Sequence, residues 1–494
     1  MADCQDSLSL PTASFPRHAP HKVFMSLLSQ RKLTLTLAFA LLHSLVAWSQ
    51  TFTTLQMFNG TDGATPVDVP LIQGTDGNLY GTTLGGGAPG PGTVFRITAA
   101  GKLTTIYSFC SQTNCTDGSE PYGGLVLGTD GDFYGTTSQG GTNGDGTVFK
   151  ITSGGKLTTL YRFSGTGTDG GGPMAPMIQA RDGNFYGITQ YGGGACNKGA
   201  IFKVTPNGTL TPLYDLGCSD GSDLSAPLMQ ASDGNFYCTT ESGGAYGYGT
   251  IFRITPVGKF STFYSFNSTD GSAPAGALVQ ATDGNLYGTT YQGGAFNTCE
   301  NGCGTIFEIS LAGVLTTISN LESSGPANPI AALIQATDGN FYGTSYAGGI
   351  SGDWGTVFEV TPSGTVMVLH SFDGNDGAQP YGPVTQDTNG NLYGTATNGL
   401  GTAAQGTVFR ETTGFLPFVK LTRSSGKIGQ TVGILGQSFQ SAVNVTFNGS
   451  HASFKIRSGA FLVATIPSGA TSGFVKVTTA LGTAQSNLPF RVIP

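Results

Sequence analysis

The stretch Asp76-Gly77-Asn78-Leu79-Tyr80-Gly81 returns, lightly varied, in copies that begin at Asp130, Asp182, Asp233, Asp283, Asp338 and Asn389. The steps between these seven starts are 54, 52, 51, 50, 55 and 51 residues. A period near 50 in a strand-rich chain marks a radial or stacked repeat, because a unit of that size cannot bury its own apolar face. Around each copy lie four strand-like runs, which in the fifth unit are 277–280, 285–290, 304–309 and 314–318. Thr-Asp-Gly-Asn between the first two runs is a hairpin signal, since glycine accepts the positive φ that a tight turn needs. The third run is nearly invariant, as in Gly92-Thr93-Val94-Phe95 and Gly355-Thr356-Val357-Phe358. Its adjacent apolar residues predict a sheet covered on both faces.

The seventh unit has three runs and stops near Arg410. The missing fourth run lies at the other end of the chain, where Phe52–Phe58 matches Leu103–Phe109 and Leu157–Phe163. An N-terminal strand that completes the last unit closes a ring, whereas an open solenoid has no reason to split a unit. The expected fold is therefore all-β: a seven-bladed β-propeller over residues 50–415, closed by its N-terminal strand. From Leu416 the glycine-rich repeat gives way to short strands at 431–435, 443–447, 461–466, 474–478 and 489–492, the cadence of a small β-sandwich over 416–494.

Composition fits this reading and excludes others. Glycine is 78 of 494 residues and only 10% of residues are charged, against a usual share of about 25%. No strict Gly-X-Y period exists, and aromatics at 10% argue against disorder. A net charge of −7 argues against nucleic-acid binding, which needs a basic face.

Residues 1–49 are read as an N-terminal extension and signal peptide. Arg31 and Lys32 precede the apolar run Leu33–Val46, and Ala47-Trp48-Ser49 offers a cleavage site before Gln50. The run is short for a membrane span, which needs about 20 residues. The start is open between Met1 and Met25. Export places the remaining cysteines in an oxidising compartment, where Cys110 with Cys115, Cys196 with Cys218, and Cys299 with Cys303 are candidate disulfides. Cys238, which replaces a glycine of the other copies, is expected to be a buried free thiol.

The units resemble the GloVer tandem repeat of exported bacterial proteins. The carriers are Asn-Leu-Tyr-Gly-Thr-Thr, Gly-Gly, Gly-Thr-Val-Phe-Arg-Ile-Thr and Leu-Thr-Thr-Leu-Tyr-Arg-Phe, in order over residues 52–410. That resemblance transfers no catalytic residue. The C-terminal segment is similar to an IPT/TIG immunoglobulin-like domain, through Gly429-Gln430-Thr431-Val432, Gly436-Gln437-Ser438-Phe439, Val445–Gly449 and Ile466-Pro467. It implies a spacer or interaction module at a bacterial surface. The chain ends at Val492-Ile493-Pro494 without an apolar tail, which argues against anchoring by this end.

Loops between the second and third runs, and between one unit and the next, are long and variable, and binding usually resides in such loops on a rigid scaffold. Their aromatics Tyr122, Tyr191, Tyr248, Tyr291, Trp354 and Tyr381 form the candidate ligand face, where rings stack on sugars or peptides. The alternative is that they merely cover the ends of the sheets. Asp-Gly pairs at Asp62, Asp117, Asp169, Asp220, Asp270 and Asp376 are read as turn formers, since the Asp-x-Asp-x-Asp spacing of calcium loops is missing. His370 and His451 are the only histidines after residue 49, which argues strongly against a His-based triad or zinc site in the propeller, and no catalytic residue, metal or cofactor is assigned. The expected function is that of an exported, monomeric, non-enzymatic protein, secreted or at the cell surface, that binds a polysaccharide or a surface protein. The alternative is a glycoside hydrolase or lyase using loop carboxylates among Glu120, Glu241 and Glu300.

Overall fold

The computed structural model describes residues 50–67, 70–295, 298–399 and 405–493, so the signal-peptide reading lies outside the described residues. The described chain is all-β, with strands joined by turns and two short 3-10 turns but no α-helix.

Each repeat unit forms one four-stranded antiparallel sheet with its strands in chain order. In the second unit these strands are Leu125–Leu127, Phe133–Thr137, Thr147–Ile151 and Leu157–Arg162. The seventh sheet takes Thr385–Gln386, Leu392–Ala396 and Thr407–Thr412 from its own unit and Thr51–Met57 from the N-terminus. Thr51 pairs with Thr412 and Met57 with Thr407, as the split repeat predicts.

The recurring hexapeptide is a self-contained hydrogen-bonded turn. Asp76 Oδ1 accepts the Asn78 backbone N–H, and Asp76 Oδ2 accepts from the Asn78 side chain and, at 2.8 Å, from the Tyr80 hydroxyl. The tyrosine ring is thereby buried while its one polar atom stays paired, which burial requires. Tyr134, Tyr186, Tyr237, Tyr287 and Tyr342 make the same bond to Asp130, Asp182, Asp233, Asp283 and Asp338. In the seventh copy Asn389 stands in for Asp and donates to the Tyr393 hydroxyl. The glycine after each tyrosine is a close approach: a Cβ on Gly81 would lie 2.6 Å from the Phe95 ring. Cys238 occupies this column in the fourth sheet, fully buried and unpaired, and burial pushes its thiol up to about 12.

Sheets pack on one another through these tyrosines. Tyr80 lies 4.3 Å from Phe133 of the next sheet, and Tyr134 lies 4.0 Å from Phe185. The apolar clusters fall between consecutive sheets, and one of them joins Tyr393 and Val408 of the seventh sheet to Leu71, Leu79 and Phe95 of the first. Glutamine side chains stitch the same seams. Gln179, Gln230, Gln280, Gln335 and Gln386 each accept, through Oε1, the backbone N–H of Thr129, Arg181, Ser232, Thr282 and Thr337 in the preceding sheet's hairpin. Gln73 donates to Thr388 Oγ1 across the seam between the seventh and first sheets. Between the first and second sheets Leu127 replaces the glutamine.

From Lys420 the chain forms two four-stranded sheets over one core, with Val432, Ile434, Leu462 and Ala464 facing Val445, Phe447, Val475 and Val477. This sandwich rests on the hairpins that join first and second strands. Ser458 Oγ donates to Thr75 O at 2.6 Å, Gln437 Nε2 to Thr388 Oγ1 at 2.8 Å, and Arg491 to Ser232 O at 3.4 Å.

One core position breaks the repeat. Where the other sheets have Ile97, Ile151, Val204, Ile254, Ile309 and Val360, the seventh has Glu411, paired between Phe52 and Leu392 and 1% exposed. Its Oε2 has no hydrogen-bond partner, and burial pushes the carboxyl from 4.5 to about 7. Because the folded pKa lies above the unfolded one, this group's contribution is favourable below the ordinary glutamate pKa and is lost as pH rises through the folded value. Glu411→Ile is therefore expected to stabilise the protein at pH 8 by about 2–3 kcal/mol, and by much less at pH 4. Urea unfolding of both proteins at the two pH values measures this, and an equal gain at both would contradict the buried-charge account.

Candidate functional site

The hairpin side of the sheets carries the sandwich, so the longer loops form the other side. There the chain repeats a strained contact. Thr65, Glu120, Asp223, Ala273, Asn328 and Gln379 all have φ between 51° and 62°, a left-handed conformation that costs non-glycine residues about 1–3 kcal/mol. Hydrogen bonds on both sides hold them. Glu120, Ala273, Asn328 and Gln379 donate their N–H groups to Pro91, Tyr248, Cys303 and Trp354 of the preceding unit. Their carbonyls accept from Ser138, Tyr291, Tyr346 and Thr397, each the residue that leaves its sheet's second strand. Thr65 O and Asp223 O hold Leu84 and Glu241 in the same way. The side chains of Leu84, Ser138, Gln190, Glu241, Tyr291, Tyr346 and Thr397 therefore share one register on seven successive sheets.

Three consecutive members of that row, Glu241, Tyr291 and Tyr346, differ in kind from the rest. Ser225 Oγ donates to Glu241 Oε1 at 2.6 Å, while burial and then the nearby Asp223 push the Glu241 carboxyl up. The Tyr291 hydroxyl is raised by burial first and then by Tyr346 and Glu241, which places these groups within electrostatic reach of one another. Tyr381 joins them with its ring edge-on to Tyr346 at 5.2 Å, and burial raises its hydroxyl with help from Tyr346 and Tyr291. Gln379 Nε2 donates to the Tyr346 hydroxyl at 2.8 Å and its Oε1 accepts from Asn398 Nδ2 at 2.7 Å, which fixes the Tyr346 ring. A cleft of about 500 Å³ adjoins Tyr291, lined also by Glu300, Asn301, Asn328 and Asp353.

The other sequence-selected aromatics have different surroundings. Tyr122 follows Pro121 and is half-buried. Tyr191 donates its hydroxyl to Asp145 Oδ1 at 3.0 Å and covers Gly171 and Gly172, so its ring is engaged in joining two loops. Tyr248 is 43% exposed. Trp354 packs against the apolar cluster between the sixth and seventh sheets while its carbonyl holds Gln379.

The loop aspartates bond inward. Asp117, Asp169, Asp220 and Asp270 accept the hydroxyls of Tyr107, Tyr161, Tyr214 and Tyr264 from the fourth strands, and His370 meets Asp376 in the equivalent position. Asp62 accepts the Asn59 N–H. This is turn chemistry, with the carboxylates spread over separate loops. Among the loop glutamates, Glu120 accepts from Gln139 Nε2 at 2.8 Å.

The three disulfides are Cys110–Cys115, Cys196–Cys218 and Cys299–Cys303, all within these loops. No helix among the described residues is long and apolar enough to cross a membrane.

The molecule is thus an all-β tandem-repeat protein with a disulfide-braced, variable loop face. The chain belongs to the Gloeobacter/Verrucomicrobia repeat family, whose model matches residues 41–179, 110–300 and 298–451. No curated protein sequence matches the chain. Similar solved structures include a streptogramin B lyase, 17% identical, covering 74% of this chain and 99% of its own with a TM-score of 0.48. A luciferin-regenerating enzyme is 11% identical, covering 75% and 98% with a TM-score of 0.39. A gluconolactonase from Xanthomonas campestris is 13% identical, covering 60% and 86% with a TM-score of 0.35.

The bridge between Cys196 and Cys218 closes the longest of the three loops, at a separation of 22 residues. Replacing both cysteines by serine is expected to cost about 3 kcal/mol through restored freedom of the unfolded chain. The same double change at Cys299 and Cys303, separated by 4 residues, should cost clearly less. Thermal unfolding without reductant ranks the two variants.

Proposed function

We propose that the protein is an exported, seven-bladed β-propeller, closed by its N-terminal strand and followed by an IPT/TIG-like immunoglobulin module, that binds a polysaccharide on its variable-loop face. The observation that carries this reading is the cluster of Tyr291, Tyr346 and Tyr381 beside Glu241. Aromatic rings held by neighbouring hydrogen bonds present flat apolar faces at little entropic cost, and tyrosine adds a polar edge that suits sugar hydroxyls. The sandwich contacts the opposite, hairpin side, which leaves this face for a ligand. Repeated units supply a rigid frame while the row of second-strand exits varies, the usual division between scaffold and recognition. Three disulfides support an oxidising, extracellular setting, either secreted or at the cell surface.

A second reading, a glycoside hydrolase or lyase, is favoured by Glu241, whose raised carboxyl beside the tyrosines has the character of a general acid. Glu241→Gln separates the two: it would abolish product release from a cleaved glycan but leave simple binding nearly intact.

In residues 50–494 Trp354 is the single tryptophan, and its carbonyl anchors the Gln379 that fixes Tyr346. Titration with bacterial and plant polysaccharides is expected to change its fluorescence saturably. Tyr291→Ala and Tyr381→Ala should each weaken binding at least about tenfold, near 1.4 kcal/mol, whereas Leu481→Ala on the sandwich should not. Binding of a surface protein but of no glycan would replace the ligand class, and loss of affinity in the Leu481 variant would move the site.

A further inference from the structure

Where the sandwich meets the repeat sheets there is a second cleft, of about 400 Å³, distinct from the loop face. Its walls are the first strands of the third and fourth sheets, including Ile178 and Met229, and its sandwich side is Thr422-Arg423-Ser424. Two guanidinium side chains, Arg181 and Arg423, line it, and Arg491 shares an acceptor with Arg181, in a chain whose net charge is −7.

Arg423 is the least explained of the three. Its Nε and Nη2 atoms are buried and have no hydrogen-bond partner among the described residues. Arg423 is half-exposed, but these two donor atoms are buried without a partner, and burial lowers the proton affinity of the side chain. Arg181 breaks the repeat at its position. The other units place Thr75, Thr129, Ser232, Thr282, Thr337 or Thr388 in this hairpin column, and only the third unit has arginine. Arg181 and Arg491 both donate to the same acceptor, Ser232 O, at 3.4 Å each. Arg491 in turn donates its backbone N–H to Ser424 O, beside Arg423. The one acid that offsets Arg181 is Asp233, which already accepts from Tyr237 and Asn235. Two like charges sharing one carbonyl, with a third lining the same cleft as Arg181, favour an anion there.

We propose that this cleft binds an oxyanionic group, a carboxylate, sulfate or phosphate, between the Arg181 and Arg423 side chains that line it, with Arg491 adding to the positive charge. Planar guanidinium forks match such oxygens through paired N–H···O bonds. The group would bridge the sandwich to the third and fourth sheets, and its binding would therefore stabilise their junction. The site is independent of the loop face and does not rest on polysaccharide binding there.

The test uses residues 50–494, the compact unit. Isothermal titration with sodium sulfate, sodium phosphate and sodium galacturonate, in a chloride background of matched ionic strength, is expected to give saturable one-site binding for at least one of them. The bound anion should also raise Tm by several degrees over chloride. The anion that binds most tightly identifies the source: galacturonate points to an acidic sugar, phosphate or sulfate to an inorganic or esterified group. Arg423→Gln and Arg181→Thr, the latter restoring the residue of most other units, should each weaken that binding at least about fivefold while keeping the fold. Equal affinity in the native chain and in Arg181→Thr and Arg423→Gln, or no saturable binding of any of the three anions, would overturn the proposal.

Discussion

The contact between each second-strand tyrosine and the next sheet is what the architecture stands on. A four-stranded sheet of these short strands has two apolar faces and cannot cover either alone. Setting Tyr80 against Phe133, or Tyr134 against Phe185, lets each sheet supply the cover its neighbour lacks. The hydroxyl would forbid such burial if it were left without a partner, and the aspartate of the hairpin removes that cost within five residues of sequence. Turn, core and sheet-to-sheet seam are therefore specified together by one hexapeptide, which explains why it repeats so closely while the loops beside it diverge.

Much of this was legible in the sequence because it is local. The four runs per unit, the hairpin, the turn role of the aspartates and the displaced N-terminal strand each follow from a pattern within about 50 residues. First strands are shorter than their apolar runs suggest; in the fifth sheet only Val279–Gln280 is paired where 277–280 was expected. In the sandwich, Lys420–Leu421, Ser450–His451 and Gly482–Gln485 carry no alternating pattern and escaped notice. The seating of the sandwich on the hairpins was invisible, since Ser458, Gln437 and Arg491 are unremarkable residues far along the chain from their partners.

The candidate site was half visible. Tyr291 and Tyr381 stand out as loop aromatics, but their tie to Tyr346 and Glu241 depends on a register that appears only when the residue leaving each second strand is aligned across units. Tyr191 shows the converse, an aromatic of the same loops whose hydroxyl is committed to Asp145. Strained backbone at Asn328 and Gln379 leaves no signature in composition, because the hydrogen bonds that stabilise it come from neighbouring units. Such strain, over-determined by its surroundings, fixes side chains more firmly than an ordinary loop would.

The displaced strand also has a consequence for how the molecule is made. Thr51 emerges from the ribosome first, yet its partner Thr412 appears only after nearly all the repeats. The leading segment must wait, unpaired, while sheet after sheet assembles behind it in vectorial order. Until it docks, Thr407–Thr412 presents a bare edge, and the matching segment of a second chain is its equal as a partner. Pairing within one chain is thus a kinetic contest, which the tethered end enters with the advantage of its high effective concentration.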